Sequence, residues 1–306
     1  LYTATGTLNM TDLAARLSES VSSRTVITGI LFIFLGLAIK MGLFPFHGWL
    51  PDAYTYASDS ATALIAPLMT KTAIYAFVRI FIIVLGYPLI HQLGVPKLLM
   101  ALGAIAVMAG SIMAFIQPQF KRMLAYSSIS HIGLIVLALG MNHPAAFVGA
   151  ILHILNHAVM KASLFLTAAA AYERRAVRDI LDFGKLRGFM PLTLAGFAVA
   201  ALSMAGVPPF CGFFSKWYIL VGAVQSGHPV MAGVIVFSSL LTALYFFKVI
   251  EKAFFQKGDG PKPVIAEAPV PLLLSGVFLS ALILILGLVS PLLFSWGMRA
   301  LVAGVT

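Results

Sequence analysis

The chain has 306 residues, of which 60% are hydrophobic and 10% charged, with a mean hydropathy of +1.00, whereas soluble domains carry roughly 25% charged residues. This composition excludes a soluble globular domain and indicates a polytopic membrane protein, so the net charge of +10 argues for a basic membrane face rather than for nucleic acid. Cys211 has no second cysteine to pair with, which excludes an internal disulfide and a multi-thiolate metal site.

The chain opens at Leu1, without a starting Met or a secretory signal, on a polar stretch that reads as internal to a longer protein. Residues 1–24 are expected to form an outer-side loop or surface helix, because 9–22 carry apolar residues in loose helical spacing with Asp12, Arg16 and Glu19. A membrane span needs about 20 mainly apolar residues. Eight stretches qualify: 25–45, 60–84, 97–117, 121–141, 145–171, 190–224, 229–250 and 270–294. The sixth is too long for one straight helix and contains Gly206-Val207-Pro208-Pro209-Phe210-Cys211-Gly212, which predicts a discontinuous helix.

Orientation follows from the basic residues of the connections. One side collects Lys121, Arg122, Arg174, Arg175, Arg178, Lys185, Arg187, Lys248, Lys252, Lys257 and Lys262; the other has Arg16, Arg24, Lys97 and Arg299. The first set is expected on the cytoplasmic side, which places both chain ends on the outer side.

The first span is also interrupted. Lys40 ends an apolar run that Pro45, Gly48 and Pro51 then break. Its Pro45-Phe46-His47-Gly48-Trp49 matches Pro209-Phe210-Cys211-Gly212-Phe213 as Pro-Phe-x-Gly-aromatic, at an offset of 164 (209 minus 45). Equivalent breaks are the mark of transporter repeats, inverted when an odd number of crossings separates them. Three spans lie between residue 96 and the second break and none precedes the first, so about three further helices are expected upstream.

Lys40, Lys71, Lys161 and Lys216 fall inside apolar runs. Snorkelling to the headgroups is the bland account, but Lys71 and Lys161 lie near mid-span and Lys40 and Lys216 beside breaks. An ionisable group at membrane depth is by default a functional candidate, and a lysine taken out of water exchanges its proton more readily than an exposed one. His153, His157 and Lys161 recur at four-residue intervals and share one helix face, beside Asn156. Packing histidines and a proton relay both fit that face. A metal-binding HExxH reading fails because residue 154 is Ile and no acid is near. His131 follows the polar run Ser127, Ser128 and Ser130, which fits either helix–helix hydrogen bonding or a water path. His47 and Asp52, after the first break, fit loop anchoring as well as proton uptake. The span cores hold no Asp or Glu. Buried charges are normally paired, so either these lysines are mostly neutral or an acid comes from elsewhere.

Taken together, the stretches 40–52, 71–79, Phe120-Lys121-Arg122-Met123-Leu124-Ala125-Tyr126-Ser127-Ser128-Ile129-Ser130-His131-Ile132-Gly133, 153–161 and 206–216 resemble the antiporter-like proton-translocating family. Its members are the large membrane subunits of respiratory complex I, the Mrp-type cation/proton antiporters and energy-converting hydrogenases. The resemblance covers nearly the whole chain and implies an all-α polytopic membrane protein with about eight transmembrane helices, two of them discontinuous, taken from a fourteen-helix fold of two inverted five-helix repeats. It implies that 25–95 are the last two helices of the first repeat, 96–255 the second repeat, and 256–306 a loop and final transmembrane helix. It further implies a proton relay through Lys40, Lys71, His153, His157, Lys161 and Lys216, with a glutamate on an earlier helix as partner of Lys40. His47, Ser127, Ser128 and His131 stand beside this relay as a candidate water path.

Thr5-Gly6-Thr7-Leu8-Asn9-Met10 and the Lys216-Trp217 pair resemble Mrp subunits of the D type most, with complex I and hydrogenase subunits as the near alternative. The expected function is therefore proton movement in a multisubunit complex of the bacterial inner membrane, with Na+ as a further candidate cargo. No cofactor, no metal and no nucleic acid is expected; a non-conducting structural subunit and a quinone-binding enzyme are the other classes weighed.

Overall fold

The computed structural model describes residues 1–19, 23–256 and 265–303. These form helices joined by turns, with an isolated antiparallel bridge between Gln119 and Asp179. The helices are α1 (Tyr2–Thr5), α2 (Met10–Glu19), α3 (Arg24–Met41), α4 (Trp49–Tyr56), α5 (Asp59–Phe77), α6 (Gly86–Gln92), α7 (Val95–Ile116), α8 (Phe120–Gly140), α9 (Pro144–Arg175), α10 (Pro191–Ala205), α11 (Cys211–Gln225), α12 (Pro229–Ile250) and α13 (Val270–Ala303). The turns Val78–Val84 after α5 and Glu251–Phe255 after α12 continue their helices in wider π-helical form. Among the described residues, seven helices are long and apolar enough to cross a membrane: α3, α5, α7, α8, α9, α12 and α13, with the π-helical turns included. The tandem pair α10 and α11 supplies the eighth crossing.

The expected spans therefore appear with shifts of a few residues, apart from the last, where α13 runs on to Ala303. The surface helix is α2; the end of the 9–22 stretch, and Lys257 and Lys262 of the basic set, lie outside the described residues. Both discontinuities fall where proline and glycine place them. α3 stops at Gly42, whose φ of 73° lies in the left-handed region, and α10 stops at Gly206 with φ of 93°. Glycine takes that conformation without a steric cost. The two glycines are themselves 164 residues apart, and three residues further on both segments carry a cis X-Pro bond, Phe44–Pro45 and Pro208–Pro209.

At the centre stands α8, buried along almost its whole length. Four glycines allow this. Gly103 and Gly110 of α7 lie seven residues apart and face α8, while Gly133 and Gly140 of α8, also seven apart, face α7. A Cβ at Gly110 would sit 2.5 Å from the Ser130 amide nitrogen, and one at Gly133 would sit 2.7 Å from both Ala106 Cβ and the Val107 nitrogen. Small residues at these contacts let two backbones touch, which is how membrane helices gain packing energy where lipid offers no hydrophobic drive. α9 then packs on α8, and α5, α10, α11 and α13 pack on α9.

The basic face is tied together by charge. Lys121 Nζ lies 2.9 Å from the Asp59 carboxylate and Arg122 lies 3.2 Å from Asp52, so the start of α8 grips α4 and α5. The amide of Phe120 donates to the Arg178 carbonyl at 2.9 Å, and the amide of Ile180 to Pro118 at 2.9 Å. Glu267 accepts from the amides of Leu192 and Thr193 at 2.5 and 3.3 Å and from the Thr193 hydroxyl at 2.8 Å. This carboxylate caps the N-terminus of α10, where free amides and the helix dipole favour an anion.

Gly110→Leu is expected to destabilise the protein by about 1–3 kcal/mol or more through overpacking, whereas Gly233→Leu on the open face of α12, where no atom lies within 4 Å of a Cβ, should be neutral. Thermal unfolding of the detergent-solubilised complex checks both.

Candidate functional site

Three lysines enter the protein interior, and each ends on oxygen atoms of the fold. Lys71 of α5 donates to the Ala66 carbonyl at 3.0 Å. Lys161 of α9 donates across to α8, to the Leu124 carbonyl at 2.6 Å and to Ser127 Oγ. Ser127 and Ser128 donate to that same Leu124 carbonyl at 2.9 and 3.1 Å. Lys216 of α11 reaches back over the break to the last carbonyls of α10, Met204 at 2.7 Å and Ala205 at 3.4 Å. The final carbonyls of a helix have no partner within it and carry the negative end of its dipole, so the break that frees them also creates a seat for an ammonium group. Among the described residues no carboxylate lies within ion-pairing distance of these three lysines.

Between the lysines lie three histidines. His131 of α8 and His153 and His157 of α9 stack with nearly parallel rings, His131 being 5.2 Å from each of the others. His131 Nδ1 and His153 Nε2 are 2.9 Å apart, and His153 Nδ1 is 2.8 Å from Ser215 Oγ. Ser215 in turn reaches the Cys211 and Gly212 carbonyls at 3.4 and 3.3 Å. A neutral imidazole donates from one nitrogen and accepts at the other, so His153 joins α8 to α11 in either tautomer. The whole line reverses polarity when the tautomer flips. His131 Nε2 and both ring nitrogens of His157 are buried without a hydrogen-bond partner among the described residues. All three lysines lie within electrostatic reach of this trio. Asn156, beside the histidine face, donates to the Cys211 carbonyl at 2.9 Å and pins the start of α11 to α9.

The fold thus brings Lys71, His153, His157, Lys161 and Lys216 into one polar layer, and draws His131 and Ser127 from the candidate water path into its centre. Ser128 turns back on its own helix. Lys40 stands apart: it is exposed in the last turn of α3 and forms no hydrogen bond or ion pair among the described residues. His47 stacks on Phe44 at 5.2 Å, on the far side of the first break, and does not join the histidine trio. At that break the helix-end carbonyl of Ile39 is taken by the Trp49 indole at 2.8 Å, not by a lysine. Ser215 is the participant that sequence reasoning missed. Its only sequence signal is adjacency to Lys216, because its partner is 62 residues away. Among the described residues, no group of three or more His, Cys, Asp or Glu side chains is placed to hold a metal ion.

A family profile described as "NADH:quinone oxidoreductase/Mrp antiporter, TM" matches residues 1–242. NADH-quinone oxidoreductase subunit N of Desulforudis audaxviator is 46% identical over 273 residues, covering 89% of this chain and 54% of that protein. The D-type Na(+)/H(+) antiporter protein of Alkalihalophilus pseudofirmus is 34% identical over 301 residues, covering 98% of this chain and 60% of the relative. Among solved structures, the Mrp complex from Dietzia sp. DQ12-45-1b aligns with a TM-score of 0.83 at 26% identity, over 98% of this chain and 62% of the matched one. Respiratory complex I from Thermus thermophilus aligns with a TM-score of 0.82 at 27% identity and the same coverage. The chain spans between half and two thirds of the length of these relatives. The relatives do not single out the Mrp D type, since the higher identity is to a subunit N. With the profile covering most of its length, the chain belongs to the NADH:quinone oxidoreductase/Mrp antiporter transmembrane family.

Proposed function

We propose that this chain moves protons across the middle of the membrane through Lys71, the histidine trio, Lys161, Ser215 and Lys216, as part of an antiporter-like subunit in a respiratory NADH:quinone oxidoreductase-type complex. The observation that carries the proposal is the hydrogen-bonded line from His131 through His153 to Ser215, set between three buried lysines. A proton arriving at one end of such a line leaves at the other as the hydroxyl and imidazole swap donor and acceptor roles, and the lysines are the sites where charge can rest. The rings of His131 and His157 stack without a direct bond, and a bridging water between such nitrogens is nearly as good a link as a direct contact.

Lys40 is the input end of this axis. Its position in the last turn of α3, exposed beside the first break, leaves its ammonium free to pair with an acid from another helix. In this reading residues 25–95 close a first repeat and 96–255 form a second, with the basic face on the cytoplasmic side of a bacterial inner membrane and both chain ends opposite. The partners are other membrane subunits that supply the driving force. The subunit N placement rests on 46% identity against 34% for the Mrp relative. A second reading, an Mrp-type antiporter subunit exchanging Na+ for protons, is favoured by the coverage of 98% of this chain in the antiporter alignment.

Lys161→Ala and Lys216→Ala are each expected to leave the complex assembled while reducing proton translocation in sealed vesicles by about 100-fold or more, the usual contribution of a positioned proton-transfer group. Wild-type rates in either variant would defeat the relay. Ser215→Ala should slow translocation by only about tenfold, because water can replace a hydroxyl as bridge; quenching of a pH-sensitive dye in the same vesicles measures the difference. A sodium dependence of that signal separates the two host complexes.

A further inference from the structure

On the basic face, the turn between α4 and α5 opposes the start of α8 and the end of α9 around a cavity of about 330 Å³. Thr55, Asp59, Gln119, Lys121, Ala168 and Arg178 are among the residues that line it. The lining is mixed, with Tyr56, Phe120 and Val177 beside the charged groups, and the Lys121–Asp59 ion pair at 2.9 Å together with Arg178 gives water polar groups to bind in this vestibule. The relay lies deeper. One helical turn before Ala168, α9 presents Phe165, and the residue before Thr55 is Tyr54; their rings meet edge to face, 5.8 Å between centroids at 85°. Both are buried, at 2% exposure for Tyr54 and 1% for Phe165. The pair therefore plugs the route inward. On its inner side, the Lys161 ammonium is 6.0 Å from the Phe165 ring centre.

The tyrosine is more than a plug, because its polar end faces the relay. Its backbone is fixed by Thr62 Oγ1, which donates to the Tyr54 carbonyl at 3.2 Å. Its buried hydroxyl lies close to that of Thr70, the neighbour of Lys71, and among the described residues neither makes a hydrogen bond of good geometry. Buried hydroxyls in folded proteins almost always have partners, and a small side-chain shift lets these two pair with each other. Tyr54 thus touches Phe165 on one side and the residue next to Lys71 on the other, and Phe and Val would fill the space of Tyr54 and Thr70 without a hydroxyl.

We propose that Tyr54 gates proton uptake from the basic-face vestibule, with its hydroxyl and that of Thr70 passing protons to Lys71. In one transfer, the Tyr54 oxygen takes a proton from a hydronium ion in the vestibule, which is left as water, and releases its own towards Thr70. One O–H bond forms and one breaks, and the tyrosine ends neutral. The same displacement along Thr70 delivers a proton to the Lys71 amine. The proposal rests on the reading of Lys71 and Lys161 as relay groups.

The test uses the full-length subunit in its native complex, in sealed membrane vesicles, with Tyr54→Phe, Thr70→Val, the double variant, Thr70→Ser and Lys161→Ala in parallel. Tyr54→Phe keeps the ring contact and removes one oxygen; it is expected to assemble normally and to lower translocation by about tenfold or more. Thr70→Val should do the same, Thr70→Ser should restore most of the rate, and the double variant should be no slower than either single, as befits two groups on one path. Independent, multiplying losses in the double variant would overturn the gate, as would a wild-type rate in Tyr54→Phe while Lys161→Ala is inactive; that second result leaves the relay standing. Translocation at the wild-type rate in Lys161→Ala would remove the relay and the gate together.

Discussion

A buried ammonium group must be surrounded by oxygen, and this chain meets that requirement with backbone carbonyls instead of carboxylates. The choice has structural consequences. An intact helix has spare carbonyls only at its C-terminus, so a lysine seated at mid-membrane depth requires either a helix that ends there or a carbonyl that accepts more than one bond. Both solutions occur: α10 ends at Gly206 and gives Met204 and Ala205 to Lys216, while the Leu124 carbonyl gathers Lys161, Ser127 and Ser128. The broken helix is thus the counter-ion of Lys216 in all but formal charge. Its other end is matched as well, since Glu267 caps the N-terminus of α10, so the short helix lies between opposite charges in the order that its dipole favours.

Carbonyl seats suit a relay better than carboxylates would. A carboxylate beside a lysine holds the proton in place through full charge pairing, whereas a carbonyl solvates the ammonium without fixing it. The scaffold must then keep the donors aligned, and close packing does so. The glycine pairs at the α7–α8 contact press α8 into the centre of the protein, which sets His131 between the two histidines of α9. A larger residue at any of those glycines would push α8 outward and lengthen the 2.9 Å contact on which the histidine line depends.

Much of this is legible in the sequence, because membrane physics leaves strong marks. Apolar runs give the spans, proline and glycine give both breaks, and ionisable residues at membrane depth give the lysines and the histidine face of α9. What the sequence carries less clearly is contact between helices. His131 fits packing and a water path equally well until the α8–α9 crossing brings His153 to it. Ser215 and Tyr54 give no signal of their own, since a serine or tyrosine in a membrane helix is ordinary until its hydroxyl is seen beside His153 or Thr70. For the missing counter-ion, composition leaves a choice between neutral lysines and a distant acid; helix-end carbonyls are a third answer that only backbone geometry displays. Lys40 ends α3 beside the first break, where the sequence puts it, but it is exposed and apart from the polar layer that gathers the other lysines.

The two breaks share a backbone device but not its chemistry. An offset of 164 relates Gly42 to Gly206 and Pro45 to Pro209, and the same offset relates Lys40 to Met204 and Lys216 to Asp52. The lysine therefore lies before the break in one case and after it in the other. Where Lys216 folds back onto the helix it follows, Asp52 turns outward to Arg122 and the indole of Trp49 joins the Gly42 amide on the carbonyl of Ile39. At the second break the helix end is filled by a cation from within the chain. At the first it is filled by neutral donors, and the nearby cation is exposed and, among the described residues, without a partner. A repeated fold with charge on opposite sides of its hinge has two unlike ends: one lysine is held by the protein, the other is open to an outside partner. In the proposed relay, that difference gives a line of otherwise reversible hydrogen bonds an input and an output.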